Sequence, residues 1–403
     1  MNQLIENFGS SLAQARRSAG LSQAQLGKPV YSRSYISLLE SGARTPSEDV
    51  LQHVATKLKI DIELVRSWAM AANEKADADA VATQVEAALL LAAGFPRFLV
   101  KSLDNKLIYP SENIRKYALE SNRVDLWWVA KFLSIDVAIE SDQVDEALKS
   151  SKQLLNHWLT FRSPLLEARA RTRLSVCLRL SEKLQDAVDQ ATAALEILDK
   201  TKSGNNCSVS TMTALISALG QQGRLMEALS FSQTLEERAH LSLNPIETAN
   251  AYWALGNLFM STQSHEKACE IFEKAIELID PDRSLRRWGR LHLAAALARL
   301  RANFKVDEVS FFIEYAEKAF SITSATTDRA QLGLIRGMHA TKTENWEVAQ
   351  KILTKVLENE EELSLSSRAD AYQYLGEALN ALSNHEEASI QYRMSAQILR
   401  SKI

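Results

Sequence analysis

The stretch Trp253-Ala254-Leu255-Gly256-Asn257-Leu258-Phe259, followed by Ala268, Phe272 and Pro281, decides the fold. Tyr252, Leu255, Leu258 and Phe259 recur at the spacing of one helix face, and Ser261-Thr262-Gln263-Ser264 interrupts the pattern as a turn. Ala268, Ile271, Phe272, Ala275, Ile276 and Ile279 then form a second face, and Pro281 closes the unit because proline cannot continue a helix. The same small position recurs along the chain at Ala147, Ala187, Ala228, Ala268, Val309, Ala349 and Ala388, at intervals of 40, 41, 40, 41, 40 and 39 residues. A pair of helices this short cannot bury its apolar face alone, so successive pairs must stack into a solenoid.

These residues resemble the tetratricopeptide (TPR) repeat, whose pattern W-x2-L-G-x2-Y, A-x3-F, P is nearly spelled out between Trp253 and Pro281. Tyr372-Gln373-Tyr374-Leu375-Gly376 with Ala388 repeats it in the last unit, and Gly337 precedes Ala349 by the spacing that separates Gly256 from Ala268. The earlier units lack the glycine and match by period and small residue. The resemblance covers about 123–401 and implies an all-α fold with a right-handed α-solenoid of about seven helix pairs.

Composition agrees. The 403 residues include only 13 glycines and 7 prolines, against average usage of roughly 7% and 5%, which argues against a turn-dense sandwich or barrel. Cys177, Cys207 and Cys269 are odd in number and form no C-x-x-C pair, so neither a disulfide framework nor a thiolate zinc site is expected. Met1-Asn2-Gln3-Leu4 opens without a basic or apolar leader, and the apolar window Val85–Val100 is broken by Gly94, Pro96 and Arg97. A cytoplasmic protein without a membrane partner is expected. The net charge of −3 hides an asymmetry: residues 1–47 hold Arg16, Arg17, Lys28, Arg33 and Arg44 against Glu6 and Glu40, a basic head on an acidic body.

In that head the pattern predicts five helices, over roughly 4–19, 22–27, 32–41, 47–59 and 61–69, with Gly20 as a stop and Ser22, Ser32 and Ser47 as caps. The wording Leu12-Ala13-Gln14-Ala15-Arg16-Arg17-Ser18-Ala19-Gly20-Leu21-Ser22-Gln23-Ala24-Gln25-Leu26, then Ser32-Arg33-Ser34-Tyr35-Ile36-Ser37-Leu38-Leu39-Glu40, is similar to the lambda-repressor-like (XRE) helix-turn-helix family. That resemblance implies that Gln23 and Ser32 meet phosphates, that Arg33, Ser34 and Ser37 or Leu38 face base edges, and that Arg44 reaches the DNA backbone. It also implies a structural Arg16–Glu40 pair. Independently, an arginine in the first turn of a recognition helix can fork onto guanine O6 and N7, and capped helix N-termini offer amides to phosphate. Arg33 could instead be merely solvated, and Tyr35 either packs or touches sugar-phosphate.

With Gly256 as the eighth position of its unit, groove-facing positions fall on Asn250, Trp253, Asn257 and Met260. The same offset selects Arg169, Thr172 and Arg179, then Ser210, Thr213 and Ser217, Gln331 and Met338, and Asp370, Gln373, Glu377 and Asn380. Asn and Gln amides present a donor and an acceptor, as clamping an extended peptide backbone requires. A helix-turn-helix head followed by such units resembles the RRNPP peptide-pheromone receptors of quorum sensing. The resemblance implies a homodimeric transcription regulator that binds double-stranded DNA at an inverted repeat and a short peptide in its groove.

Four readings compete with this one: a TPR adaptor or response-regulator inhibitor, a mobile-element repressor without ligand, a groove that takes another ligand or a protein partner, and a solenoid that only dimerises. The expected division is a DNA-binding domain over 1–70, a helical connector over 71–122 and the repeat domain over 123–403. The seven histidines are scattered, and no H-E-x-x-H, G-x-S-x-G, P-loop or G-x-G-x-x-G occurs, so no enzyme, cofactor or metal site is expected. His157 and His292 read as packed residues, Trp127, Trp128, Trp158, Trp288 and Trp346 mostly as packing anchors, and Asn359-Glu360-Glu361-Glu362 as a solvated helix end.

Overall fold

A computed structural model describes residues 2–69, 85, 100–101, 107–108, 118, 123–201, 205–242, 244–281, 285–323 and 326–400. The expected connector over 71–122 lies almost wholly outside the described residues. From it come only a two-residue antiparallel pairing of Val100–Lys101 with Leu107–Ile108, and the buried Val85 and Ala118. The chain divides into two compact units, 1–224 and 225–403.

The first unit opens with five helices close to the expected bounds: α1 (Asn2–Ser18), α2 (Gln23–Gly27), α3 (Arg33–Glu40), α4 (Glu48–Leu58) and α5 (Ile62–Trp68). Phe8, Leu12, Leu26, Ile36, Leu39, Val54 and Val65 are fully buried and form its core. Ser22 and Ser32 cap α2 and α3 as expected, whereas Ser47 precedes α4 without a side-chain cap bond.

The rest of the first unit contains Val124–Glu140 with Val144–Leu155, the short Trp158–Arg162, Pro164–Leu180 with Leu184–Thr201, and Asn205–Gln221. Prolines 164 and 245 stand at the first position of their helices, where the missing N–H costs no bond. The second unit begins with Leu225–Ser230 and Ser232–His240, then pairs Pro245–Ser261 with His265–Leu278 and Leu285–Ala302 with Val309–Ile322. Thr326–Lys342 with Trp346–Leu357 and Leu365–Ala381 with His385–Arg400 complete it. All seven marker positions, from Ala147 to Ala388, are buried to within 1% exposure.

The period has a backbone cause. At the end of the first helix of every repeat, one residue adopts a left-handed conformation: Asp142, Glu182, Gly223, Gln263, Asn303, Glu344 and Ser383. In each case its N–H bonds the carbonyl three residues back, and the next N–H bonds the carbonyl five back; Gln263 to Met260 at 3.3 Å and Ser264 to Phe259 at 2.8 Å are typical. This is a Schellman cap, repeated once per unit, and only Gly223 fills it with the residue that carries no Cβ penalty.

Where the two helices of a pair cross, side chains leave no room. A Cβ on Gly256 would stand 2.5 Å from Phe272 Cε1, one on Gly337 2.4 Å from Leu353 Cδ2, and one on Gly376 2.7 Å from Tyr392 Cε1. The glycine of the TPR-like motif is therefore a contact requirement.

Cys177, Cys207 and Cys269 are buried free thiols, and burial pushes the Cys269 thiol up to about 11. The histidines read as packed are packed: His292 is 3% exposed with Nδ1 on the Trp288 carbonyl, and His157 is fully buried. Burial lowers both, taking His157 to about 3. One expectation fails: Glu360 is not a merely solvated helix end, since its carboxylate accepts from the Tyr372 hydroxyl at 2.6 Å and pairs with Arg368. A side chain two turns into the next helix claims it.

Two outcomes follow from this packing. Gly223→Ala should lower unfolding free energy by ~1 kcal/mol through backbone strain alone, because no atom lies within 4 Å of the new methyl. Gly256→Ala should cost ~1–3 kcal/mol by displacing Phe272, and equal effects in denaturant titrations would contradict the distinction. Because His157 is held neutral, an unfolded chain takes up its proton first, so stability falls as pH drops below ~6.5. The expected loss is ~2 kcal/mol by pH 5, and unfolding midpoints across pH should flatten over that window in His157→Gln.

Candidate nucleic-acid interface and repeat groove

Helix α3 is amphipathic across a sharp line. Ile36 and Leu39 are fully buried, while Arg33, Ser34, Ser37 and Leu38 are exposed on the other side. The Tyr35 N–H donates to Ser32 Oγ at 3.1 Å, which leaves the N-terminal amides of the first turn turned outward beside Arg33. At α2, Ser22 and Gln25 close a reciprocal capping box at 3.2 and 2.8 Å.

The predicted Arg16–Glu40 pair holds α1 against α3. Arg16 Nε and Nη2 donate to the two carboxylate oxygens at 2.5 and 2.9 Å, and Nη1 donates to the Leu21 carbonyl at 2.8 Å. Burial opposes ionisation of Glu40, but the hydrogen bonds from Arg16 and Gln23 outweigh it and hold its carboxyl below the usual range. Gln23 therefore does more than await a phosphate: its amide donates to Glu40 at 2.9 Å, tying the start of α2 to the end of α3.

Tyr35 packs. Its ring stacks on Tyr31 at 5.0 Å, and the Arg44 guanidinium lies 4.5 Å from its centroid. Tyr31 in turn meets His53 edge-on, and His53 Nε2 lies 2.8 Å from the Leu26 carbonyl. Arg44 thus sits next to α3, on the face of Tyr35.

The groove positions divide three ways. Asn257, Gln373 and Asn380 are exposed; Arg179, Thr213, Asn250, Trp253 and Gln331 are half-buried; Arg169 is only 6% exposed. Arg169, Thr172, Met260 and Met338 therefore do not face an open surface, and Met338 is fully buried in the core of the second unit. Near Arg169 the neighbouring first helices press together, with the Thr172 and Thr211 hydroxyls 2.7 Å apart.

Several of the polar groups already have partners. Arg179 donates to Gln221, Gln331 accepts from Ser367, Gln373 donates to Glu377, and Asn380 meets His385. Asn250 and Asn257 differ. They stand two turns apart on one helix with Trp253 between them, and among the described residues nothing bonds their side-chain amides.

The repeat frame selects Asp370 but misses Arg290, Arg301 and Asp328. Arg290 pairs with Asp328 at 2.6 Å, and Arg301 reaches Asp370 at 2.6 Å past the intervening Thr326–Lys342 helix. Leu297 stands where the fourth, sixth and seventh units carry glycine.

Among the described residues no group of three or more potential metal ligands occurs, and no helix is long and apolar enough to cross a membrane. No curated protein matches the chain. Residues 7–68 match the helix-turn-helix domain family.

Among solved structures, a Rap protein complexed with Competence and Sporulation Factor gives a TM-score of 0.55 at 13% identity, covering 98% of each chain. The apo form of RapI gives 0.50 at 11% identity, over 68% of this chain and 97% of that one. Bacillus thuringiensis PlcR in complex with the peptide PapR7 and DNA gives 0.43 at 16% identity, over 81% and 99%. At these identities the likeness is one of fold. The chain is an N-terminal helix-turn-helix domain followed by a helical repeat resembling TPR proteins.

Proposed function

We propose that the protein is a sequence-specific DNA-binding transcriptional regulator whose repeat region binds a short peptide. The observation that carries the DNA reading is the outer face of α3. Arg33, Ser34, Ser37 and Leu38 are all exposed there, at the end of a helix whose register is fixed from behind by Arg16, Gln23 and Glu40. A helix of this kind reads base edges in the major groove while capped N-termini position phosphates. Acting as a homodimer, the protein would place two such helices on an inverted repeat, about one turn (~34 Å) or a multiple of it apart.

The peptide reading is supported by the free amides of Asn250 and Asn257 flanking Trp253. It is also supported by the fold shared with a Rap protein that was solved with Competence and Sporulation Factor. Paired amides on one helix face can match the alternating donors and acceptors of an extended chain, and an indole between them offers apolar contact. A bound peptide would act on DNA only through different affinities for two arrangements of the protein.

Arg33→Ala should cost ~1–3 kcal/mol at one base pair and relax specificity there, measured by competition among single-substituted sites. Uniform weakening across all sites would make Arg33 a phosphate contact. Screened against a library of short synthetic peptides, the wild-type chain should show thermal stabilisation by some members. Asn257→Ala should reduce binding of those peptides by ~1–2 kcal/mol without changing the unliganded melting temperature. Stabilisation by no peptide would remove the ligand half of the proposal.

A further inference from the structure

The helix-turn-helix domain meets the first helix pair through buried polar groups that neither α3 nor the groove positions use. Ser67, in the last turn of α5, is fully buried, and its hydroxyl donates to the Leu64 carbonyl at 2.6 Å. What remains on that oxygen is acceptor capacity. His157 Nε2 lies 3.2 Å away, across 90 residues of sequence.

The other ring nitrogen fixes the tautomer. His157 Nδ1 accepts the Leu159 N–H at 3.3 Å as the cap of Trp158–Arg162, so the ring hydrogen resides on Nε2 and points at Ser67. A one-directional relay results, from the imidazole N–H to the serine hydroxyl to a backbone carbonyl of α5.

Aromatic side chains seal it from both sides. Trp127 stacks on His157 at 4.7 Å, Trp158 lies 5.6 Å from it, and the Trp158 indole N–H reaches the Ser67 carbonyl at 3.5 Å. On the head side Phe8 and Trp68 are buried with ring centres 6.3 Å apart. The short helix is itself pinned to the first pair, since the Trp128 indole donates to Thr160 Oγ1 at 2.9 Å and Thr160 donates to the Leu154 carbonyl at 2.7 Å.

We propose that Ser67 and His157 form a polar catch that docks the helix-turn-helix domain onto the first helix pair and thereby sets the orientation of the head. A displacement of that pair cannot leave α5 behind without stranding a buried N–H, so it is passed to the head as a body. His157 is a positioning residue in this scheme and touches neither DNA nor ligand.

Hydrogen exchange on the intact chain tests the catch. Ser67→Ala removes the acceptor and leaves His157 in place. Amides of 62–68 and 157–162 should lose protection together, by about tenfold or more, while α2, α3 and 245–261 keep theirs. Loss confined to 62–68, or no loss, overturns the proposal. If Ser67→Ala instead melts α2 and α3, the comparison passes to His157→Gln, which retains an N–H for Ser67, and His157→Leu, which does not. Protection of both segments in the glutamine variant and joint loss in the leucine variant supports the catch; equal protection in the two overturns it.

Discussion

The repeat region depends on how closely the first helix of each pair crosses the second. Ala147, Ala187, Ala228, Ala268, Ala349 and Ala388 are buried to within 1%, and Gly256, Gly337 and Gly376 have no space for a methyl group. Side chains of ordinary size at these points would push the helices apart and open the interior that the apolar faces fill. The left-handed residue after each first helix sets the return direction that makes the close crossing possible. Both constraints are local to one pair, so a fold built from them is a string of similar decisions taken about every 40 residues.

The head is organised differently, around charge. Glu40 collects Arg16 from α1 and Gln23 from α2, so its carboxylate registers three helices. Its position at the end of α3 leaves the start of that helix free to present Arg33 and the neighbouring serines. The buried contact of Ser67 with His157 then relates this assembly to the first helix pair.

Much of this was legible in the sequence. The period and the five head helices could be read because each rests on local spacing, whereas the Arg16–Glu40 pair, 24 residues apart, was implied only by the resemblance to the helix-turn-helix family. The Schellman caps could not, because Asp142, Glu182, Gln263, Glu344 and Ser383 do not advertise a left-handed backbone as glycine does. Counting positions from Gly256 failed at Arg169, Thr172, Met260 and Met338, where neighbouring helices bury faces that an isolated pair would leave open. Arg301 with Asp370, 69 residues apart, and Ser67 with His157, 90 apart, join residues whose sequence context carries no sign of the partner.

The most direct measurement of the central claim is equilibrium binding of the intact protein to the DNA upstream of its own gene, followed across salt concentration. The account predicts specific binding whose affinity falls with a log–log slope of about −0.9 for each phosphate contacted, and which Arg33→Ala weakens without changing the protein's helical content. Absence of any salt-dependent binding, with the repeat region free or occupied by a stabilising peptide, would contradict it and make the helix-turn-helix domain a protein-binding adaptor.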